Sequence, residues 1–135
     1  FRNVHDDFVG KVLDQALTTS LRIYEHAQSR GVAVECFQSN HEGAIIDAIQ
    51  EADTAFDGIV INPGAYTHYS YAIHDALKAV SIPAVEVHMS DIQKREEFRH
   101  LSVTAPACIA QIRGHGFESY TMAIDMLAKL NPEEK

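Results

Sequence analysis

The run Ile59-Val60-Ile61 is wholly apolar and stops at Asn62-Pro63-Gly64. After one helical stretch comes a second strand-like run, Val85-Glu86-Val87-His88-Met89-Ser90, with Arg99 shortly beyond it. A strand, a helix and a second strand in succession build a parallel sheet, because parallel strands need a crossover between them. Ligands of such sheets bind at the carboxyl ends of the strands. Asn62 lies at one of those ends, and His88 and Ser90 lie at another. Side chains alternate along a strand, so Glu86, His88 and Ser90 share a face and form one ledge. A buried strand reads as continuous apolar residues, so a carboxylate and an imidazole in that register point to another use.

The rest of the chain repeats the theme. From about Lys11 to Arg30 the spacing predicts a helix, with Val12, Ala16, Ser20, Tyr24 and Ala27 on one stripe and Leu13, Leu17 and Leu21 beside it. Gly31 suits the stop. Val32 to Phe37 reads as a strand, and Asn40 suits the cap of the next helix, which carries Ile45, Ile46, Ile49, Ala52 and Phe56. Tyr69 to Val80 reads as a helix ended by Ser81-Ile82-Pro83, and Ala84 to His88 as the following strand. Asp91 suits the cap of a short charged helix through Phe98. Ala107 to Ile112 reads as the last strand, and Gly114-His115-Gly116 opens a final helix with Tyr120, Ile124 and Leu127 inward. The polar tail from Asn131 is expected to fray.

The fold class is therefore α/β with a mainly parallel sheet. One feature of the pattern is odd: such a domain usually begins with a strand that ends up in mid-sheet, and here the pattern begins with a helix. A vacant central position would leave buried backbone groups unpaired, at about 1–3 kcal/mol each. The expectation is one domain, 1–135, whose first strand either precedes Phe1 or comes from residues 1–10 in a way the pattern does not reveal.

Charge and cysteines narrow the partners. The net charge of -8 argues against nucleic acid or an anionic membrane as the main partner. A small anionic substrate stays possible, since one arginine can reverse the field locally. The 2 cysteines, Cys36 and Cys108, read as buried thiols of a cytoplasmic protein. No apolar stretch is long enough to span a bilayer, and no signal peptide is recognisable.

Each candidate residue has a bland reading beside the functional one. His88 titrates near neutrality and suits a general acid, with Glu86 on the same face to hold its ring. The alternative is an exposed edge strand with a polar face. Asn62 before Pro63-Gly64 is a natural turn residue. His68 can pack on the following helix. Arg99 near Glu96 and Glu97 can be a surface ion pair worth under about 1 kcal/mol, although its guanidinium is also the group that grips an anion with several donors. His41, His68, His74, His88 and His115 lack the spacing of a metal site. Gly114-His115-Gly116 is a weak phosphate signal and more often a turn.

Four stretches taken together resemble the type II 3-dehydroquinate dehydratases: Gln38-Ser39-Asn40-His41-Glu42-Gly43, Asn62-Pro63-Gly64-Ala65-Tyr66-Thr67-His68, Glu86-Val87-His88-Met89-Ser90 and Arg95-Glu96-Glu97-Phe98-Arg99-His100. The resemblance covers Val32 to the C-terminus. It implies a flavodoxin-like three-layer sandwich, no metal or organic cofactor, and a homo-oligomer that is a dodecamer built from trimers. It also implies loss of water from 3-dehydroquinate through an enolate, giving 3-dehydroshikimate in the shikimate or quinate pathway. Matched residue by residue, His88 is the general acid, Asn62 contacts substrate and a water near the enolate, and Glu86 stands beside the catalytic histidine. His68 and Arg99 match substrate-binding positions. Met89 and Ser90 match the pair whose amides, with the serine hydroxyl, hold the substrate carboxylate. Asp75 matches an acid that reaches a neighbouring subunit's site.

The departures lie towards the N-terminus. The family's first strand with its Asn-Gly-Pro-Asn turn is not recognisable, nor is the lid with its arginine and its tyrosine base. Counting back from Gln38 puts that tyrosine near Lys11, where nothing matches, and Tyr24 falls within the expected helix. Two alternatives follow. One is a non-catalytic relative that binds a cyclic carboxylic acid without turnover. The weaker one is an α/β interaction module without a ligand. Tyr71 and Ile73 are candidates to face a neighbouring subunit.

Overall fold

A computed structural model gives the fold and describes residues 9–14 and 20–130. The expected frayed tail, and Ala16 and Leu17 of the expected first helical stripe, lie outside the described residues. Five strands form one sheet: β1 (Val9–Asp14), β2 (Ala33–Gln38), β3 (Gly58–Asn62), β4 (Ala84–His88) and β5 (Ala110–Arg113). Their order is β2-β1-β3-β4-β5 and every pairing is parallel. This is the flavodoxin-like arrangement, in which the strand order reverses beside β1. The helices are α1 (Ser20–Ser29), α2 (Glu42–Ala55), α3 (Tyr71–Ala79) and α4 (Glu118–Ala128).

The central strand is the main correction to the sequence reading. Residues 11–14, expected to open a helix, belong to β1, which pairs with β2 on one side and β3 on the other. The position that seemed vacant is thus filled by Val9–Asp14. Over residues 11–14 the helical stripe was a coincidence of spacing, whereas Ser20, Tyr24 and Ala27 of the same stripe do lie on α1. Val12 and Leu13 are both buried but enter opposite apolar clusters, as neighbours on a two-faced strand must. Lys11 hid the strand, because a lysine in mid-sheet is costly unless paired. Here its Nζ lies 2.7 Å from Glu35 Oε1 on β2, over the rings of Phe37 and Phe56.

The two clusters are the two interfaces of a three-layer sandwich. Val12, Val60, Val85, Val87 and Ile112 meet Ile23 of α1 and Tyr120, Ile124 and Leu127 of α4. Leu13, Ile59, Ile61 and Ala84 meet α2 and α3 on the other side. Ile73 is wholly buried there, so of the two residues expected to face a neighbour only Tyr71 is exposed.

Caps follow local chemistry. Gly31 (φ 70) ends α1 with paired bonds, its own N–H to Gln28 O and the Val32 N–H to Ala27 O, the arrangement that a left-handed residue allows. Asn40 does not cap α2: its side chain accepts from Gln38, and His41 occupies the cap without a side-chain bond. Ser70 caps α3, accepting from the Ile73 N–H. The charged helix expected after Asp91 is two 3-10 turns, Ile92–Lys94 and Glu97–Arg99, with Asp91 capping the first. The last strand begins later than expected, because Ala105–Ala107 forms another 3-10 turn with Pro106 inside it. Cys108 follows that turn rather than lying in a strand. Both cysteines are half-buried, and burial pushes the Cys108 thiol up to about 12.

Candidate active site

At the carboxyl ends of β3 and β4 lies a cleft of about 320 Å³, lined by Asn62, Gly64, Ala65, His68, His88, Met89, Ser90, Ile92, Arg95, Arg99 and Tyr120. Six of the expected site residues are brought together there: Asn62, His68, His88, Met89, Ser90 and Arg99. Two are not. Asp75, on α3, is exposed and, among the described residues, pairs with the adjacent His74 at 3.1 Å. Glu86 lies behind the wall, with no surface exposed.

The ledge foreseen from strand alternation is therefore three depths rather than one surface. Glu86 is buried, His88 is 6% exposed, and Ser90 stands at the rim. The physical reason is the donor set around Glu86. One oxygen, Oε2, receives His88 Nε2 at 2.9 Å, Ser102 Oγ at 2.8 Å and Gln111 Nε2 at 2.8 Å. The other accepts from Thr104 Oγ1. A carboxylate so surrounded can do without water. Burial alone would raise its pKa. Bonds from His88, Thr104 and Gln111, with the charge of His88, outweigh burial and hold it below the usual carboxylate value.

This contact also orients the imidazole. Nε2 faces Glu86, so Nδ1 is the ring atom left for the cleft. The backbone behind it is clamped: the His88 carbonyl accepts from Ser119 Oγ and the Gly114 N–H, and the Met89 carbonyl accepts from the Gly116 N–H. Gly114 and Gly116 both have positive φ (80 and 57). The Gly114-His115-Gly116 segment thus serves as a strand-to-helix turn that fixes the end of β4.

The other lining residues are similarly held. Asn62 is a turn residue and a cleft residue at once. Its Oδ1 accepts the Gly64 N–H, and its Nδ2 donates to the Tyr120 hydroxyl, each at 3.0 Å. His68 Nδ1 lies 2.8 Å from the Leu101 carbonyl. A carbonyl only accepts, so Nδ1 carries the proton and Nε2 is the acceptor of the neutral ring. Arg99 Nε lies 3.3 Å from the Glu96 carboxylate, so the surface ion pair exists in addition to the cleft contact. Arg95 reaches the Ser90 hydroxyl at 3.2 Å and Glu96 at 3.5 Å. Two guanidiniums thus line a cleft in a chain of net charge -8.

Sequence reasoning passed over Arg95 and Tyr120 as site residues, and over Ser102, Thr104 and Gln111. Arg95 sits four residues before Arg99 in a quoted motif, which was the available signal. Tyr120 carries an inward helical stripe and reads as core. The position counted for a tyrosine base, Lys11, is a core strand residue. Among the described residues lining the cleft the one tyrosine is Tyr120, 1% exposed and bonded to Asn62. Tyr24 is in α1 as expected, accepting the Cys36 N–H outside the cleft. Among the described residues, no three His, Cys, Asp or Glu side chains cluster as metal ligands, and no helix is long and apolar enough to cross a membrane.

Comparisons with known proteins identify the family. A 3-dehydroquinate dehydratase of Bacillus cytotoxicus is 55% identical over 115 residues, covering 85% of this chain and 77% of the relative. One from Bacillus cereus strain AH187 is 59% identical over 100 residues, 74% of this chain and 68% of the relative. The crystal structure of a type II dehydroquinase from Butyrivibrio crossotus superposes with a TM-score of 0.83 at 50% identity, over 89% of this chain and 97% of that one. A second, from Propionibacterium acnes, gives a TM-score of 0.83 at 32% identity over 93% and 99%. The family profile described as Dehydroquinase class II matches residues 9–128, and the chain belongs to that family.

Proposed function

We propose that the chain is a 3-dehydroquinate dehydratase, a lyase that converts 3-dehydroquinate to 3-dehydroshikimate. The observation that carries this reading is the His88 imidazole in the cleft wall with a buried carboxylate on its Nε2. The elimination removes a proton beside a ketone, passes through an enolate, and breaks a carbon–oxygen bond to release water. The described residues build the second half of that sequence. His88 Nδ1 delivers a proton to the departing hydroxyl, which leaves as water. Glu86 holds the ring and offsets its positive charge when both nitrogens carry protons.

The remaining roles follow from position and chemistry. The amides of Met89 and Ser90 with the serine hydroxyl hold the substrate carboxylate, and Arg95 on Ser90 Oγ adds positive charge there. His68 and Arg99 grip the ring hydroxyls. Asn62 contacts substrate and a water beside the enolate. Asp75, exposed and outside its own cleft, serves a neighbouring subunit in a homododecamer of trimers. The reaction belongs to shikimate or quinate metabolism in the cytoplasm.

The test is formation of the conjugated enone of 3-dehydroshikimate, followed by absorbance, for the wild-type chain and His88→Asn. Turnover that falls by roughly 10²–10⁴ in the variant, the usual contribution of a general acid, is the expected result. A wild-type protein that binds 3-dehydroquinate without forming the enone would replace this reading with the binding-only one.

A further inference from the structure

We propose that Gln111 is a positioning residue, acting through Glu86 to fix the ring orientation and proton position of His88. The proposal rests on the dehydratase reading for its kinetic arm, but its geometric basis is independent of substrate.

Gln111 is on β5, directly opposite Glu86 in the parallel register, and Arg113 is opposite His88. The four side chains therefore form two cross-strand pairs on one face of the sheet. Arg113 Nη1 donates to Gln111 Oε1 at 3.1 Å. Arg113 Nε in turn lies 3.2 Å from Asp91 Oδ1, and Asp91 caps the turn after β4. With Oε1 occupied by a guanidinium, the amide cannot flip without losing that bond. Nε2 must then face the carboxylate, to which it donates at 2.8 Å.

The other donors to Glu86 are equally directed. Ser102 Oγ accepts the Ala105 N–H, so its own proton is free for Glu86. Thr104 is wholly buried and donates to the other carboxylate oxygen. Each oxygen thus has fixed partners, and the place left on Oε2 is the one His88 Nε2 fills. Taking away the Gln111 donor opens a vacant direction on that oxygen. Glu86 can then rotate towards water or its remaining partners, and the imidazole loses the restraint that keeps Nδ1 on the cleft side. A neutral amide suits this task better than a charged one, because a cation would compete with His88 for the same oxygen.

The experiment compares wild type, Gln111→Met and Arg113→Met. Gln111→Met keeps length and packing but removes the donor. Arg113→Met acts at a side chain 39% exposed; it leaves the donors to Glu86 in place, frees the amide and also removes the Asp91 ion pair, which Arg113→Lys can keep. Histidine 15N chemical shifts report the tautomer of His88 without any turnover. With the ring neutral, before Nδ1 takes up the proton it delivers, the expected result is an Nε2–H tautomer in wild type and a mixture of tautomers in both variants. The kinetic expectation is a kcat lower by about tenfold, a part of what a general acid contributes, with KM unchanged, because Gln111 does not line the cleft. Arg113→Lys, which can still donate to Gln111 Oε1, should recover most of the loss. An unaltered tautomer in Gln111→Met overturns the proposal, as does a loss of kcat matched by an equal rise in KM. A wild-type chain that shows the tautomer difference but no dehydration would leave this inference standing and remove the dehydratase reading instead.

Discussion

Glu86 Oε2 lies 2.9 Å from His88 Nε2, and the carboxylate that makes this contact has no surface exposed to solvent. A charge can be kept there only because its donors come from β4, β5 and the loop between them. Stability should therefore depend on pH in part through this group. Its folded-state pKa lies below the ordinary carboxylate value of 4.5, so the unfolded chain binds the proton more readily. The stabilisation is complete above that ordinary value and is lost as pH falls towards the lower folded value. Urea denaturation should find Glu86→Gln less stable than wild type by about 1–3 kcal/mol at neutral pH. The gap should narrow as pH drops below the ordinary carboxylate range. A gap that stays constant down to pH 3 would mean that Glu86 is not ionised in the folded protein.

Arg99 lines the cleft while still paired with Glu96. Removing it should weaken substrate binding more than it slows chemistry. A charge-assisted bond is worth about 1.5–3 kcal/mol, so Arg99→Ala should raise KM by roughly 10- to 100-fold. Arg99→Lys should recover only part of this, because an ammonium keeps the charge but not the planar fork. Steady-state kinetics on both variants check the order.

Asp75 offers a test of the assembly. If it completes a neighbour's cleft, Asp75→Ala and His88→Ala should each be inactive alone. Mixed oligomers of the two should regain activity, since a cleft with His88 from one chain can take Asp75 from the other. Co-refolding the two variants and assaying the mixture decides the matter. No recovery in a mixture shown to be hetero-oligomeric would place Asp75 outside the mechanism.

Thr67 is wholly buried, and its hydroxyl is the one buried side-chain polar atom among the described residues without a hydrogen-bond partner. Its backbone carbonyl is used, accepting the Val103 N–H at 2.8 Å, so the residue's place in the fold does not depend on the hydroxyl. Thr67→Val keeps the shape and removes the unpaired group, which costs about 1–3 kcal/mol when left buried. The denaturation midpoint should rise at unchanged slope. A lower midpoint would reveal a partner for Oγ1.

By itself the sequence determined the fold class, the succession of helices and strands from Val32 onward except between Asp91 and Ile109, and most of the residues that line the cleft. Ile59–Ile61 and Val85–His88 are local signals: an apolar run ending in Asn-Pro-Gly, and an alternation that puts Glu86 and His88 on one face. Their meaning needs no distant contact. Val9–Asp14 was different. Val12 and Leu13 fall on stripes of helical spacing, and only the Glu35 carboxylate on a neighbouring strand makes a buried lysine tolerable beside them. The same holds for the support of His88. Alternation along β4 placed Glu86 beside His88, but Ser102, Thr104 and Gln111 reach the carboxylate from 16, 18 and 25 residues away. Whether that carboxylate lines a cleft or lies dry behind it is decided by how many donors the tertiary structure brings to it. No pattern within a strand carries that number.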